Sequence, residues 1–279
     1  MTLKNTSDGT GGFLPHDFGA LVEKPLRAAA VAFDPNVAGQ IYTESATFDI
    51  PVVDSDAGAA FVAEGNDIQI EDAVFDTVSV TPAKVAGISV ISRELSEDSS
   101  PEAGQVVANG LAFSIARKVD QALFAGLPSP APAGLATADV HEMDWDATSL
   151  DSILEAYGFM RDLGANPTAV VVSGSDLTDL SKLKDGTGSL RGLLEPDATM
   201  PTRFLVNGVP LISSPAVPAG TAYVLDSTKL FTVLRSGTTV ELDTSVYFVS
   251  DRVAVKARAR VGFGIAHPEA LVRLVQAGS

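Results

Sequence analysis

The side chains that could carry catalysis are few and poorly placed for it. His16, His141 and His267 are the three histidines, and imidazole is the group whose ordinary titration falls nearest neutral pH. They stand far apart in sequence, and none sits in a recognisable catalytic pattern. HEMDWD at 141–146 opens like a zinc-protease helix but lacks the second His four positions on. Its Asp139, His141, Glu142, Asp144 and Asp146 offer donors to a hard cation, yet a solvated loop is the plainer reading. VVSGSDL lacks the second Gly of a nucleophile elbow, so Ser173 and Ser175 read as helix-capping residues. LKDGTGSLRG and VGFGIAH hold Gly pairs without phosphate-cradling spacing and read as turns. The absence of cysteine excludes disulfides, thiolate catalysis and cysteine-ligated metal. A hydrolase built on Asp and Glu pairs is the remaining enzymatic reading, and no nucleophile or cofactor site supports it. The sequence therefore predicts no enzyme, with no catalytic, metal or cofactor-binding residues and no cofactor.

Charge is the stronger signal. From Ala28 to Ala83 there is no Lys or Arg, while Asp34, Glu44, Asp49, Asp54, Asp56, Glu64, Asp67, Glu71, Asp72 and Asp76 fall in the same stretch. In VAVKARARV, Lys256, Arg258 and Arg260 lie two apart, so a strand carries them on one face and Val255, Ala257, Ala259 and Val261 on the other. A solvated acidic face and a solvated basic face are the plain alternative to complementarity between copies. The net charge of −16 disfavours nonspecific attraction to nucleic acid, which needs clustered Lys and Arg.

The elements that hold these charges are mixed. At 279 residues the chain can bury a substantial core, and no apolar run approaches a membrane span or the core of a signal peptide. TFDIPVV, AAFVAE, AVFDTVSV and AKVAGISVIS are short β-prone runs broken by Gly, Pro and Asp. They read as an elongated antiparallel ribbon, and an isolated two-stranded ribbon is marginal in water without something to pack on. A long helix follows, with Ser99 or Ser100 as N-cap, Pro101 and Glu102 in its first turn, Gly126 at its exit, and a stripe of Leu111, Ile115, Val119 and Ala122. At roughly 25 residues it spans about 38 Å. PSPAPAGLATAD marks a change of subdomain. A second helix begins near Ser149, with Leu150, Ile153, Leu154, Tyr157 and Met160 on one face and Gly164 and Pro167 stopping it. TAVVVSGSDLTDLSKLKD reads as a buried strand and short helix, and VPLISS, AYVLDS, KLFTVL, TVELDTSVYFVS and DRVAVKARARVGF as strands. Strands and helices without strict alternation predict an α+β fold.

Several of these segments, in this order, resemble the tailed-bacteriophage major capsid family of the Hong Kong 97 type. GGFLPHDFGALVEKPLRAAAVA is similar to its N-terminal arm, FVAEG at 61–65 to the hydrophobic-Glu-Gly motif of its extended loop, and SRELSEDS at 92–99 to the entry of its spine helix. SKLKDGTGSLRG, FLVNGVPLISSPAVP and RARVGFGIAHPEALVRL are similar to its axial domain and closing strands. The resemblance implies an N-terminal arm at 1–42, an extended loop at 43–92 and a peripheral domain with spine helix at 93–126. It further implies an axial domain at 127–235, and strands completing the peripheral and axial domains at 236–279.

It implies a subunit that self-assembles as hexamers and pentamers into an icosahedral shell around double-stranded DNA. The expected partners are copies of the chain, a portal protein, a separate scaffolding protein, packaged genomic DNA held without sequence-specific binding, and a possible decoration protein, with no membrane. The expected location is the virion capsid, assembled in the bacterial host cytoplasm. The alternative is the shell of an encapsulin-type bacterial nanocompartment. Two departures stand out: no Lys lies between residues 25 and 83, which argues against the isopeptide welding some relatives use, and only ten residues precede Gly11, where many relatives carry a long cleavable segment. In such a shell the expected intersubunit contact sets Glu64, Asp67, Glu71 and Asp72 against Lys256, Arg258 and Arg260, so that Lys256→Glu with Arg258→Glu is expected to impair assembly.

Overall fold

The computed structural model describes residues 26, 29–55, 61, 74–92, 102–186, 191–196, 200, 203–243 and 245–276. Its strands are β1 (Gly39–Thr43), β2 (Phe48–Ser55), β3 (Val74–Val80), β4 (Ala83–Ser92), β5 (His141–Asp144), β6 (Ala169–Val172), β7 (Glu195–Pro196), β8 (Phe204–Val206), β9 (Val209–Ser213), β10 (Thr221–Leu225), β11 (Leu230–Asp243), β12 (Arg252–Ile265) and β13 (Val272–Val275). Its helices are α1 (Glu102–Phe124), α2 (Asp151–Asp162) and α3 (Gly174–Ser181). The strands form a four-stranded sheet in the order β1-β11-β12-β4, a seven-stranded sheet in the order β5-β13-β10-β6-β9-β8-β7, and the pair β2-β3. The α+β expectation holds.

Helix α1 lies against β4 and β12. Ile115, Val119 and Ala122 are buried as their spacing predicts, and Leu111 packs at the margin of the same core. Opposite them, Val255, Ala257, Ala259 and Val261 are buried, so β12 turns its small residues to the helix. Both faces of the central strand β6 are covered. Ala169 and Val171 join the α1 core, whereas Val170 and Val172 join a second core with Ile153, Tyr157 and Met160 of α2. That is why AVVV reads as a continuous apolar run rather than an alternating one.

Four local expectations need correction. Leu154 of α2 is 42% exposed, because α2 turns Ala156 inward with Ile153, Tyr157 and Met160. HEMD is not a solvated loop: it is strand β5, recruited by parallel pairing with β13. TVELDTSVYFVS is a strand only as far as Asp243, after which the chain turns back through a 3-10 turn at Phe248–Ser250 that exposes Val246 and Val249. Finally, among the described residues of the expected ribbon, β2 and β3 pair with each other alone. β1 is parallel to β11, and β4 is antiparallel to β12, so both flanks of the stretch expected as an extended loop belong to the four-stranded sheet.

The root of the ribbon is seated on that sheet through two glycines. A Cβ on Gly262 would lie 2.7 Å from Val80 Cγ1 and 3.2 Å from Pro82 Cα. One on Gly264 would lie 2.9 Å from Val80 Cγ2. With no Cβ in the way, Ile50, Val52 and Val80 pack against Val233 in a small core of their own.

Candidate intersubunit interface

The face of the four-stranded sheet that turns away from α1 carries the basic stripe. On β12, Lys256 and Arg258 are half-buried and Arg260 is exposed, between buried Val255, Ala257, Ala259 and Val261. The alternation read from the sequence is therefore present. The register then separates the three cations. Glu241 on β11 is directly opposite Lys256, and its carboxylate takes both Lys256 Nζ at 2.5 Å and Arg258 Nη2 at 2.9 Å. The hydrogen bond from Lys256, helped by the charge of Arg258, holds the Glu241 carboxyl below its usual range. Two of the three expected interface cations thus have an acid within their own chain.

Arg260 stands differently. An irregularity in pairing between Arg235 and Thr239 shifts the register, placing Arg235 opposite Arg260 on one side, while Lys84 of β4 is opposite it on the other. Arg235 donates Nε to the backbone carbonyl of Glu44 at 3.2 Å. Among the described residues no carboxylate pairs with Lys84 or Arg260. Next along β4, Ile88 is 61% exposed opposite Lys256 and Val90 is 38% exposed opposite Ala254, so the face passes from basic to apolar along the outer strand of the sheet. Lys84 also lines a cleft of about 510 Å³ with Lys118, Val119, Leu127, Pro128 and Phe263.

Glu64, Asp67, Glu71 and Asp72, the expected acidic half of the contact, lie outside the described residues. Sequence reasoning did not single out Lys84, Arg235 or Glu241. Period-two alternation in AKVAGISVIS puts Lys84 on one face with Ala86 and Ile88, but only the sheet order shows which cation it stands beside.

The residues weighed for chemistry do not converge. His141 stacks on Phe159 with ring centroids 3.9 Å apart, and His267 Nδ1 lies 3.3 Å from Glu269 Oε1. Glu142 pairs with Arg273. Ser173 caps α3 by accepting from Asp176 N at 3.2 Å, and Ser175 bonds Ser173 rather than capping anything. His16 is outside the described residues. Among the described residues no group of His, Asp and Glu has the geometry to hold a metal, and no helix is long and apolar enough to cross a membrane.

Two packed sheets, a long helix under one of them and a ribbon seated on its other face define an α+β subunit. The description "Phage capsid family" matches residues 17–275, and the chain belongs to that family. It is a major capsid protein of a tailed phage, a component of the virion capsid. No curated protein matches it. Among solved structures it is similar to the capsid of an empty GTA particle at 19% identity and TM-score 0.72, covering 99% of this chain and 96% of that one. A chain of Mycobacterium phage Adephagia is 16% identical with TM-score 0.69, over 87% and 89% of the two. A virus-like particle from Pyrococcus furiosus is 13% identical with TM-score 0.63, over 91% and 96%. At these identities the likeness is one of fold, and it bears out the resemblance read from the sequence.

Proposed function

We propose that this capsid protein works by assembling with copies of itself, closing as hexamers and pentamers into an icosahedral shell around double-stranded DNA, and that its role is structural rather than catalytic. The observation that carries this is the far end of the β2–β3 ribbon. Val53 and Phe75 are direct cross-strand partners, yet they stay 39% and 71% exposed, an apolar pair left open to solvent. A two-stranded ribbon of this length gains its support from a neighbour, and a closed shell supplies that neighbour to every copy. The net charge of −16 disfavours nonspecific attraction to the phosphates of the enclosed DNA. A portal protein, a separate scaffolding protein and a decoration protein are the further partners proposed, with assembly in the host cytoplasm. A cargo-filled compartment has less support, since the family matched over nearly the whole chain is that of phage capsids. Negative-stain microscopy of the purified chain tests the reading: closed particles of uniform curvature are expected. A chain that stays monomeric at every concentration and with every co-expressed partner overturns it.

A further inference from the structure

We propose that the cleft between the C-terminal half of α1, the start of β4 and the proline-rich linker after α1 is a binding site for a free medium-chain carboxylate. The aliphatic chain of the ligand lies in the cleft and its head group meets Lys84 and Lys118. The site is separate from shell closure, and its test does not depend on shells forming.

The cleft is built before any ligand arrives. β12 contributes Val261 and Phe263 to it, β4 contributes Val85, and α1 contributes Val119 and Ala122. The linker closes it with Pro128, Pro130 and Pro132, whose rings fix φ, so this wall has little freedom to lose when a ligand settles. Backbone bonds hold the linker in place: Ala131 N donates to the carbonyl of Pro128 at 3.1 Å, and Leu135 N to that of Leu123, near the end of α1, at 2.7 Å. At about 510 Å³ the cleft falls within the roughly 300–1,000 Å³ of small-molecule sites, and its lining is mostly apolar as theirs is.

The few polar groups select the head group. Among the described residues no carboxylate lines the cleft, although the chain has 35 acids, and its two charged groups are both amines. Lys118 Nζ donates to Gln121 Oε1 at 3.0 Å, a neutral partner that leaves the charge unbalanced. Lys84 has no carboxylate partner among the described residues. Nor can the nearby chain supply one: between Glu102 and Asp139 the one acid is Asp120, which is buried with its carboxylate on Val31 N and Ala32 N. An anion that arrives from outside therefore meets complementary charge at an apolar cleft. The remaining side-chain polar group is the hydroxyl of Ser129. A peptide, with an amide at every residue, asks for more partners than these side chains offer, whereas an aliphatic acid brings one polar end and buries the rest.

Calorimetric titration of decanoate into the purified full-length chain tests this. Saturable binding is expected, tightening roughly fourfold for each CH2 added from octanoate to decanoate and weaker for decan-1-ol, which has the chain without the charge. Lys84→Gln with Lys118→Gln is expected to keep the circular dichroism of the unaltered chain and to lower the affinity for decanoate at least about fivefold, with that for decan-1-ol unchanged. A merely structural effect would weaken both ligands together. Carbodiimide then locates the site, because it condenses the bound carboxylate with an amine in contact with it. Decanoyl-modified Lys84 or Lys118 is expected, with the exposed Lys182 on α3's C-terminal side left unmodified. Absent or unsaturable binding, acylation as heavy at Lys182, or a double variant that takes decanoate as the unaltered chain does overturns the proposal. So do particles that exclude decanoate while free subunits bind it, because a second copy then fills the cleft.

Discussion

Tyr223 on β10 donates its hydroxyl to the carbonyl oxygen of Phe124, the last residue of α1, at 2.7 Å. The bond joins the seven-stranded sheet to the helix under the four-stranded one, with the two rings tilted against each other at 5.6 Å. Phe124 is at a helix C-terminus, where carbonyls lack an intrahelical partner, so the hydroxyl satisfies a group that burial would otherwise orphan. Burial pushes the Tyr223 phenol up, although Arg273 nearby pulls the other way, so it stays a donor throughout the working range. Tyr223→Phe keeps the ring contact and removes only the donor. A loss of about 1–3 kcal/mol is expected, from the unsatisfied carbonyl. Urea unfolding measures it, and an unchanged midpoint would show that the carbonyl finds water.

Asp120 of α1 anchors the chain's N-terminal side. Its Oδ2 accepts from Val31 N at 3.0 Å and its Oδ1 from Ala32 N at 2.9 Å, with only 4% of the residue exposed. Burial outweighs the two hydrogen bonds and pushes its carboxyl up from 3.8 to about 6. A raised carboxyl favours the protonated form in the fold, so its contribution to stability is complete below about 3.8 and disappears as pH rises through about 6. Relative to Asp120→Asn, the unaltered protein should therefore gain stability as pH falls from 7 to 4, by up to about 3 kcal/mol at about 1.4 kcal/mol per unit. The comparison cancels the titration of the other acids. Paired urea titrations at the two pH values decide it, and a pH-independent difference contradicts it.

These two bonds also show where sequence reading stops. The burial of Ile115, Val119 and Ala122 and the alternation of Lys256, Arg258 and Arg260 follow from periods of 3.6 and 2 that are fixed within a few residues. The family itself was legible in its local segments, and its match covers residues 17–275. Asp120, by contrast, meets Ala32 across 88 positions, and Tyr223 meets Phe124 across 99. No local pattern encodes either pairing. Glu241 was hidden for a similar reason: it meets Lys256 only once the turn of the β11–β12 hairpin is located, and Arg260 meets Arg235 only because of the irregularity beyond it. HEMD lacks any strand signature of its own, being short, polar and mostly exposed, and becomes a strand because β13 runs beside it.

Glycine replacements should divide sharply by position. A Cβ on Gly134 would meet backbone at the end of α1, 2.5 Å from Leu123 O and 2.7 Å from Leu123 Cα, and backbone cannot rotate aside. Gly110, inside α1, has nothing within 4 Å of its Cβ position. Gly134→Ala should thus cost about 1–3 kcal/mol or more through overpacking. Gly110→Ala should stabilise by roughly 0.5–1 kcal/mol, since glycine is a poor helix former. Thermal unfolding of the two variants beside the unaltered chain gives both signs at once, and a destabilised Gly110→Ala would contradict the second.

Glu241→Gln separates pairing within the chain from contact between copies. The carboxylate engages Lys256 and Arg258, but the three side chains are 43–45% exposed, where an ion pair contributes roughly 0–1 kcal/mol. Because its carboxyl is held low by Lys256, the contribution is present above the ordinary 4.5 and fades only as pH falls through the lower folded value. At neutral pH the variant should therefore lose less than about 1 kcal/mol in urea. Its particle yield carries the more telling comparison. If Lys256 and Arg258 serve the sheet and not the neighbour, freeing them should change assembly little, and Lys256→Glu with Arg258→Glu should act mainly by setting like charges beside Glu241. A gain in particle yield or salt tolerance from Glu241→Gln would instead show the two cations reaching an acid on another copy, restoring the contact that their alternation on β12 first suggested.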